Sequence, residues 1–200
     1  MTLNRRHFIG ATAAAGAALS APAVLGQGRP RVVVIGGGCG GATAARYIAK
    51  DSDGAIDVTL IEPQRVYYTC FFSNLYIGGF QEMEDLGHTY GTLAADFGVN
   101  VVHDLAVDVD REARTVTLAS GAALPWDRLV ISPGIDFVDG AVPGWDVSAQ
   151  GAMPHAYKGG TQAQLLKAQI EAMPEGGRYA MVAPPNPYRC PPGPYERISM

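Results

Sequence analysis

Val32-Val33-Val34-Ile35 runs straight into Gly36-Gly37-Gly38-Cys39-Gly40-Gly41, and a second apolar run, Val58-Thr59-Leu60-Ile61, ends at Glu62. A buried strand, a G-x-G-x-x-G turn opening a helix, and an acid about twenty residues further on are the parts of a dinucleotide-binding βαβ unit. Gly36 makes the tight turn, Gly38 lets backbone amides approach a pyrophosphate, and Gly41 lets the following helix lie close to the sheet. Glu62 is then placed to accept ribose hydroxyls. A chance glycine-rich turn accounts for none of the strand, the helix or the acid.

Outward from that stretch, Ala42 to Lys50 reads as a helix with Ala42, Ala45 and Ala49 along one side, small enough to approach a sheet closely. Val58 to Ile61 is apolar almost throughout, as a strand buried on both faces is. Leu93, Ala94 and Phe97 give a short helical face ended by Gly98, and Val99 to Val102 predicts a third parallel strand. The pattern then changes to short alternating strands at Val107 to Asp110, Thr115 to Leu118 and Leu124 to Ile131, a β-meander inserted into the α/β unit. Leu129-Val130-Ile131 leads into Ser132-Pro133-Gly134 and returns the chain to the nucleotide unit. Residues 136–158, rich in Gly, Pro and Asp, read as a connector. Thr161 and Gln164 predict a capping box for a helix through Ala172, with Leu165, Leu166 and Ile170 inward. A strand is expected at Arg178 to Ala183 and a helix opening at Tyr195 to Met200.

The expected fold class is therefore α/β: a Rossmann-like domain over residues 29–155 with an inserted β-meander, then the start of a second nucleotide-binding-like domain over 156–200. The stop after a helix opening reads as the amino-terminal part of a longer protein whose carboxy-terminal half is missing. Where a second G-x-G-x-x-G should follow the 178–183 strand, the sequence is Pro184-Pro185-Asn186-Pro187-Tyr188-Arg189-Cys190-Pro191-Pro192-Gly193-Pro194. Prolines offer no amide hydrogen to a pyrophosphate and cannot form the glycine turn, so no NAD(P) is expected there. A stiff linker is the plainer reading of a proline run, but this one follows a strand, precedes a helix and holds a cysteine, as a built site does.

Residues 1–28 read as a twin-arginine signal: Asn4-Arg5-Arg6-His7-Phe8-Ile9, a weakly apolar stretch from Gly10 to Leu25, and Ala21-Pro22-Ala23 as the small-residue cleavage candidate. An ordinary secretory signal or a retained anchor is the alternative; the paired arginines and alanine-rich stretch favour the twin-arginine route to the periplasm, which carries folded proteins. No other apolar run approaches the length of a membrane span. The formal net charge is −4, and loss of Arg5 and Arg6 leaves 13 basic against 19 acidic residues, so nucleic acid is not an expected partner.

Three cysteines, Cys39, Cys70 and Cys190, leave their pairing open. Cys39 lies inside the glycine stretch, where a small side chain is expected to pack. Cys70 sits in Tyr67-Tyr68-Thr69-Cys70-Phe71-Phe72, an aromatic run that suits either the border of a flat ring system or ordinary core packing. Cys190, held among prolines near a helix opening, reads as redox chemistry or as half of a structural disulfide with Cys70. No metal site is expected.

These residues together resemble the flavoprotein subunits of the flavocytochrome c sulfide dehydrogenase family, among the glutathione-reductase-like flavin enzymes. The resemblance runs through Val32 to Gly41, Val58 to Pro63, Tyr67-Tyr68-Thr69-Cys70, Val101-Val102-His103-Asp104, Ser132-Pro133-Gly134 and, most specifically, Arg189-Cys190-Pro191-Pro192-Gly193-Pro194-Tyr195-Glu196-Arg197. It implies FAD held at Gly36, Gly38, Gly41, Glu62 and Gly134 and joined covalently through Cys70. It also implies a redox disulfide formed by Cys190 with a cysteine further along the chain, and Glu196 as proton acceptor. Sulfide or another reduced sulfur compound is then the implied substrate and a cytochrome c subunit the implied partner. A sulfide:quinone oxidoreductase, which shares the fold and the disulfide chemistry, and a non-catalytic flavin-binding assembly subunit are the alternatives.

Overall fold

The computed structural model describes residues 28–199, so the signal expected at 1–28 lies outside the described residues but for Gly28. Strand β1 (Arg31–Ile35) lies at the centre of a parallel sheet with β2 (Asp57–Ile61) on one side and β9 (Arg128–Ile131) on the other; β5 (Asn100–Val102) extends it beyond β2, in the order β5-β2-β1-β9. The register pairs Val32 with Val58 and with Arg128, and Leu60 with Val101. Parallel neighbours require crossovers, and helices α1 (Cys39–Asp51) and α3 (Gly91–Phe97) supply two of them. Gly98, at φ 66°, ends α3 in the left-handed conformation that the sequence predicts.

Successive side chains of a strand face opposite sides, and β1 uses both. Val32 and Val34 join Leu60, Ala45, Ala49, Tyr90, Leu93 and Val99 in the core under the helices. Val33 joins Ile61, Val116 and Leu118 on the other side. The second face is covered by the meander, β6 (Ala106–Asp110), β7 (Thr115–Leu118) and β8 (Ala123–Pro125), a separate antiparallel sheet in the order β6-β7-β8. Helices, parallel sheet and meander thus form three layers, and each fully buried valine, leucine or isoleucine contributes about 1.5–3 kcal/mol.

Leu124 to Ile131, expected as one strand, divides into β8 and β9. The break is at Trp126-Asp127: Trp126 N–H donates to the Arg114 carbonyl, while the Asp127 carboxylate accepts from both the backbone amide and the guanidinium of Arg31. Those Arg31 bonds hold the Asp127 carboxyl down at about 2. One run therefore serves two sheets.

A short hairpin unforeseen in the sequence, β3 (Val66–Tyr68) with β4 (Gly87–Thr89), encloses helix α2 (Ser73–Ile77) and a 3-10 turn at Met83–Leu86. Helix α4 (Thr161–Glu171) buries Ala163 against Met83 and Leu86. The capping box expected of Thr161 and Gln164 does not form: Gly160, at φ 93°, is the N-cap with no side-chain cap, so Thr161 is already the first helical residue, and the Gln162 side chain accepts the backbone N–H of His155. Residues 178–183 are not a strand, because no described segment lies beside them to complete a ladder; Val182 is exposed. The last helix, α5 (Gly193–Ser199), begins two residues before the expected Tyr195.

Candidate functional site

The glycine stretch is shaped from several directions at once. Gly36 turns at φ 95°, its N–H donating to the Ile61 carbonyl and the Ser132 N–H donating to the Ile35 carbonyl. A Cβ on Gly36 would lie 2.1 Å from the Ser132 carbonyl oxygen. Gly38 is the N-cap of α1 with no side chain to occupy the first-turn amides, which have no intrahelical acceptor. A Cβ on Gly41 would sit 1.8 Å from the Gly36 carbonyl oxygen, which explains why the helix approaches the turn only with glycine there.

Glu62 follows β2 beside this turn. One carboxylate oxygen accepts the Gly37 N–H at 2.7 Å and the other accepts the Gln64 N–H at 2.8 Å. A carboxylate has about four acceptor positions, so two remain for the hydroxyls of a ribose. The turn's glycines, the N-terminus of a 13-residue helix and this oriented acid fit an adenine dinucleotide such as FAD.

Tyr90, which no sequence signal singles out, and His103, which the sequence shows only within the Val101-Val102-His103-Asp104 stretch of the resemblance, complete the surround. The Tyr90 hydroxyl donates to the Gly37 carbonyl at 3.0 Å, its ring 5.8 Å from that of His103, whose Nδ1 lies 3.0 Å from the Glu62 carbonyl oxygen and so carries the proton. Burial first, then the Glu62 charge, pushes the Tyr90 phenol up to about 12 from 10.0. A group with a raised folded pKa contributes stability that is complete below its unfolded value and lost as the pH rises through the folded one. Between pH 10 and 12, therefore, the wild-type protein should lose stability faster than Tyr90→Phe. Denaturant titrations across that range check this, and parallel curves would show the hydroxyl uncoupled. At neutral pH the variant should lose about 1 kcal/mol with its hydrogen bond.

The three cysteines are free thiols, and each is exposed. Cys39, expected to pack, instead opens α1 with its side chain at the surface, because the helix buries the face of Gly41, Ala45 and Ala49. Tyr67 stands over Gly38, its Cε2 at 3.5 Å from where a Cβ would be. Burial, then the nearby Cys70 and Cys39, raises the Tyr67 phenol. Phe71 and Phe72 are 52% and 68% exposed, so that end of the aromatic run is not core, whereas Tyr67 packs against the core under the helices. Gly134, at φ 80°, follows β9 at the surface.

Helix α5, which begins just after Cys190, is tied to the Cys70 segment. Arg197 Nη2 donates to Ser73 Oγ at 2.7 Å, and the Ser73 hydroxyl donates to the Cys70 carbonyl. Glu196 accepts from the Asn74 amide at 3.3 Å. Cys190 is itself left-handed at φ 57°, a conformation that costs a residue with a Cβ about 1–2 kcal/mol. Gly193 N–H donates to the Cys190 carbonyl, and a Cβ on Gly193 would meet Cys190 Sγ at 3.1 Å, so the glycine makes room for the sulfur. Glu62, Gly36, Gly38 and Gly41 thus lie together at one turn, with the Tyr67 ring over Gly38, while α5, which carries Glu196 and begins just after Cys190, is hydrogen-bonded to the segment that follows Cys70. Two surface concavities along the connector include neither a cysteine nor a residue of the glycine turn. Among the described residues there is no cluster of His, Cys, Asp and Glu that could hold a metal ion, and no helix long and apolar enough to cross a membrane.

Residues 30–171 match the pyridine nucleotide-disulphide oxidoreductase family, and residues 163–200 match the central region of the sulfide dehydrogenase [flavocytochrome c] flavoprotein chain. A sulfide dehydrogenase [flavocytochrome c] flavoprotein chain of Chlorobaculum thiosulfatiphilum is 55% identical over 47 residues, 24% of this chain and 96% of that sequence. The sulfide-quinone reductase of Aquifex aeolicus (strain VF5) is 34% identical over 111 residues, 55% of this chain; the match spans a quarter, 25%, of that enzyme's length. Among solved structures, the sulfide:quinone oxidoreductase of Aquifex aeolicus superposes with a TM-score of 0.59 at 26% identity, over 71% of this chain and 32% of that one. The NAD-dependent persulfide reductase of A. fulgidus gives 0.59 at 26% identity, over 70% and 27%.

Proposed function

From the premise that this chain belongs to the pyridine nucleotide-disulphide oxidoreductases, and within them to the flavocytochrome c sulfide dehydrogenase flavoprotein chains, we propose that it is the FAD-carrying part of a periplasmic sulfide dehydrogenase. The observation that carries this reading is the clasp of α5 onto the Cys70 segment, which joins a reactive-sulfur candidate to a flavin-anchor candidate.

Gly36, Gly38 and Gly41 would hold the pyrophosphate, Glu62 the ribose, Gly134 the segment after β9, and Cys70 the ring system through a thioether. FAD, when bound, takes an electron pair and releases it singly, as transfer to a cytochrome c subunit requires. Cys190 forms a disulfide with a cysteine further along the chain. Hydrosulfide attacks one sulfur of that disulfide; a new S–S bond forms as a persulfide, the old one breaks, and its electron pair leaves on the other sulfur as thiolate. Glu196 accepts the proton of the incoming sulfur species. The proline run after residue 183 supports a second domain, beginning near residue 156, that does not take NAD(P). The twin-arginine pattern supports export of the folded protein.

A second reading, a sulfide:quinone oxidoreductase, is favoured by the likeness to the Aquifex enzyme. Anaerobic sulfide added to the full-length holoprotein should bleach its flavin, and cytochrome c rather than a soluble quinone should restore the colour. Acid precipitation should leave a yellow pellet. No bleaching rejects both readings; recovery with quinone alone selects the second; a colourless pellet removes the Cys70 anchor.

A further inference from the structure

Cations are rarely taken out of water without a counter-charge. Arg197 on α5 is half-buried, and its Nη1 is fully buried with no acceptor among the described residues. Its Nη2 is fixed by two neutral acceptors, Ser73 Oγ at 2.7 Å and the Ala156 carbonyl at 2.9 Å. Ser73 is itself only 1% exposed, so the clasp is rigid. The neighbouring Glu196 is engaged with Asn74, and the ion pairs found among the described residues all lie elsewhere. The groups whose charges act on this guanidinium are Cys70, Cys190, Glu196 and Tyr179, and Tyr157 and Tyr188 flank Cys190. A partly desolvated positive charge with a free donor therefore lies among the two site cysteines. Burial opposes that charge, so an arriving anion is stabilised where water is scarce.

We propose that Arg197 is a substrate-positioning residue: with Nη2 committed to Ser73 and Ala156, Nη1 donates to the hydrosulfide anion as it approaches Cys190. The proposal rests on the sulfide-oxidising reading above and assigns that reading its anion donor. A planar guanidinium serves two fixed acceptors and a third ligand together; a lysine ammonium offers the charge without the fork.

The test follows sulfide-driven flavin bleaching in the full-length holoprotein, anaerobically, against sulfide concentration and pH. Because a charge-assisted hydrogen bond is lost, Arg197→Met should raise the half-saturating sulfide concentration by on the order of tenfold or more, with a smaller change in the limiting rate. Flavin content per protein should stay the same, and Arg197→Lys should recover part of the loss. Half-saturation in the wild type should fall as the hydrosulfide anion replaces neutral hydrogen sulfide, over about pH 6 to 8, and Arg197→Met should flatten that dependence. A wild type that sulfide does not bleach rejects the sulfide reading. A bleached wild type with an Arg197→Met variant of equal half-saturation overturns the Arg197 proposal alone. Flavin loss at unchanged half-saturation marks a structural role and also overturns it. Should the methionine variant not fold, Arg197→Lys and Ser73→Ala decide: each should raise half-saturation severalfold, and wild-type values in both refute the assignment.

Discussion

Cys190→Ser is expected to abolish sulfide-driven flavin reduction, by at least about a thousandfold, since residues that act as a reacting unit fail almost completely when one is removed. Serine has nearly the same shape but forms neither a disulfide nor a persulfide. The remaining cysteines do not substitute: Cys39 opens α1 and Cys70 precedes α2, each on a different segment from α5. The glycine turn, Glu62 and Cys70 are untouched by the change, so the purified variant should keep its yellow colour and its flavin-to-protein ratio. Anaerobic absorbance spectra before and after sulfide check both parts together. Wild-type bleaching in the variant would refute the role of Cys190, whereas loss of colour before any sulfide is added would place Cys190 in flavin retention.

Gly41→Ala should be among the most damaging single methyl additions among the described residues. The added Cβ falls 1.8 Å from the Gly36 carbonyl oxygen, 3.0 Å from its carbon and 3.3 Å from Val34 Cγ1. The first two are backbone atoms of the glycine turn and have no rotamer to which they can retreat. Relief requires α1 to lift from β1, which opens the core of Val34, Ala45 and Leu60. The expected cost is about 3 kcal/mol or more, with loss of flavin. Gly38→Ala is the informative companion, because its Cβ meets only the Tyr67 ring, at 3.5 Å. That variant should melt close to wild type yet bind flavin less well, since its methyl stands where a pyrophosphate would approach the amides. Thermal melts and flavin titrations of the pair test this; equal stability of both variants would show that helix approach does not limit the turn.

The parallel unit was readable because its signals are local and redundant: Val32 to Ile35, the glycine spacing and Glu62 each demand the same geometry. The meander was readable from its alternation, but the partition of Leu124 to Ile131 was not. That partition depends on Asp127 meeting Arg31, residues distant in sequence. The β3–β4 hairpin escaped because three-residue strands are too short to show a period and its partner segments flank a helix. The capping box at Thr161 failed because Gly160, at a positive φ of 93° that glycine adopts readily, takes the N-cap position, and a Cβ there would meet the Tyr68 ring at 3.4 Å. Of the site, the cysteines stood out by type and Glu196 only through the resemblance. Arg197 did not, since a basic residue beside an acidic one on a short helix reads as a solvated face; only the buried Ser73 hydroxyl reveals where it goes. Tyr90 likewise reads as core until its hydroxyl is followed to the Gly37 carbonyl.

The bond from Ser132 N–H to the Ile35 carbonyl, and the pairing of β9 beside β1, carry a consequence for biosynthesis. A nascent chain that has already released all of its phosphate-loop residues from the ribosome still lacks the strand that braces them, because the meander is translated in between. Loop closure over that distance is slow compared with helix formation. Cofactor loading is thereby deferred until the first domain is assembled, an order that would suit the export route proposed above, since a translocase for finished rather than threaded cargo can carry a protein loaded so late.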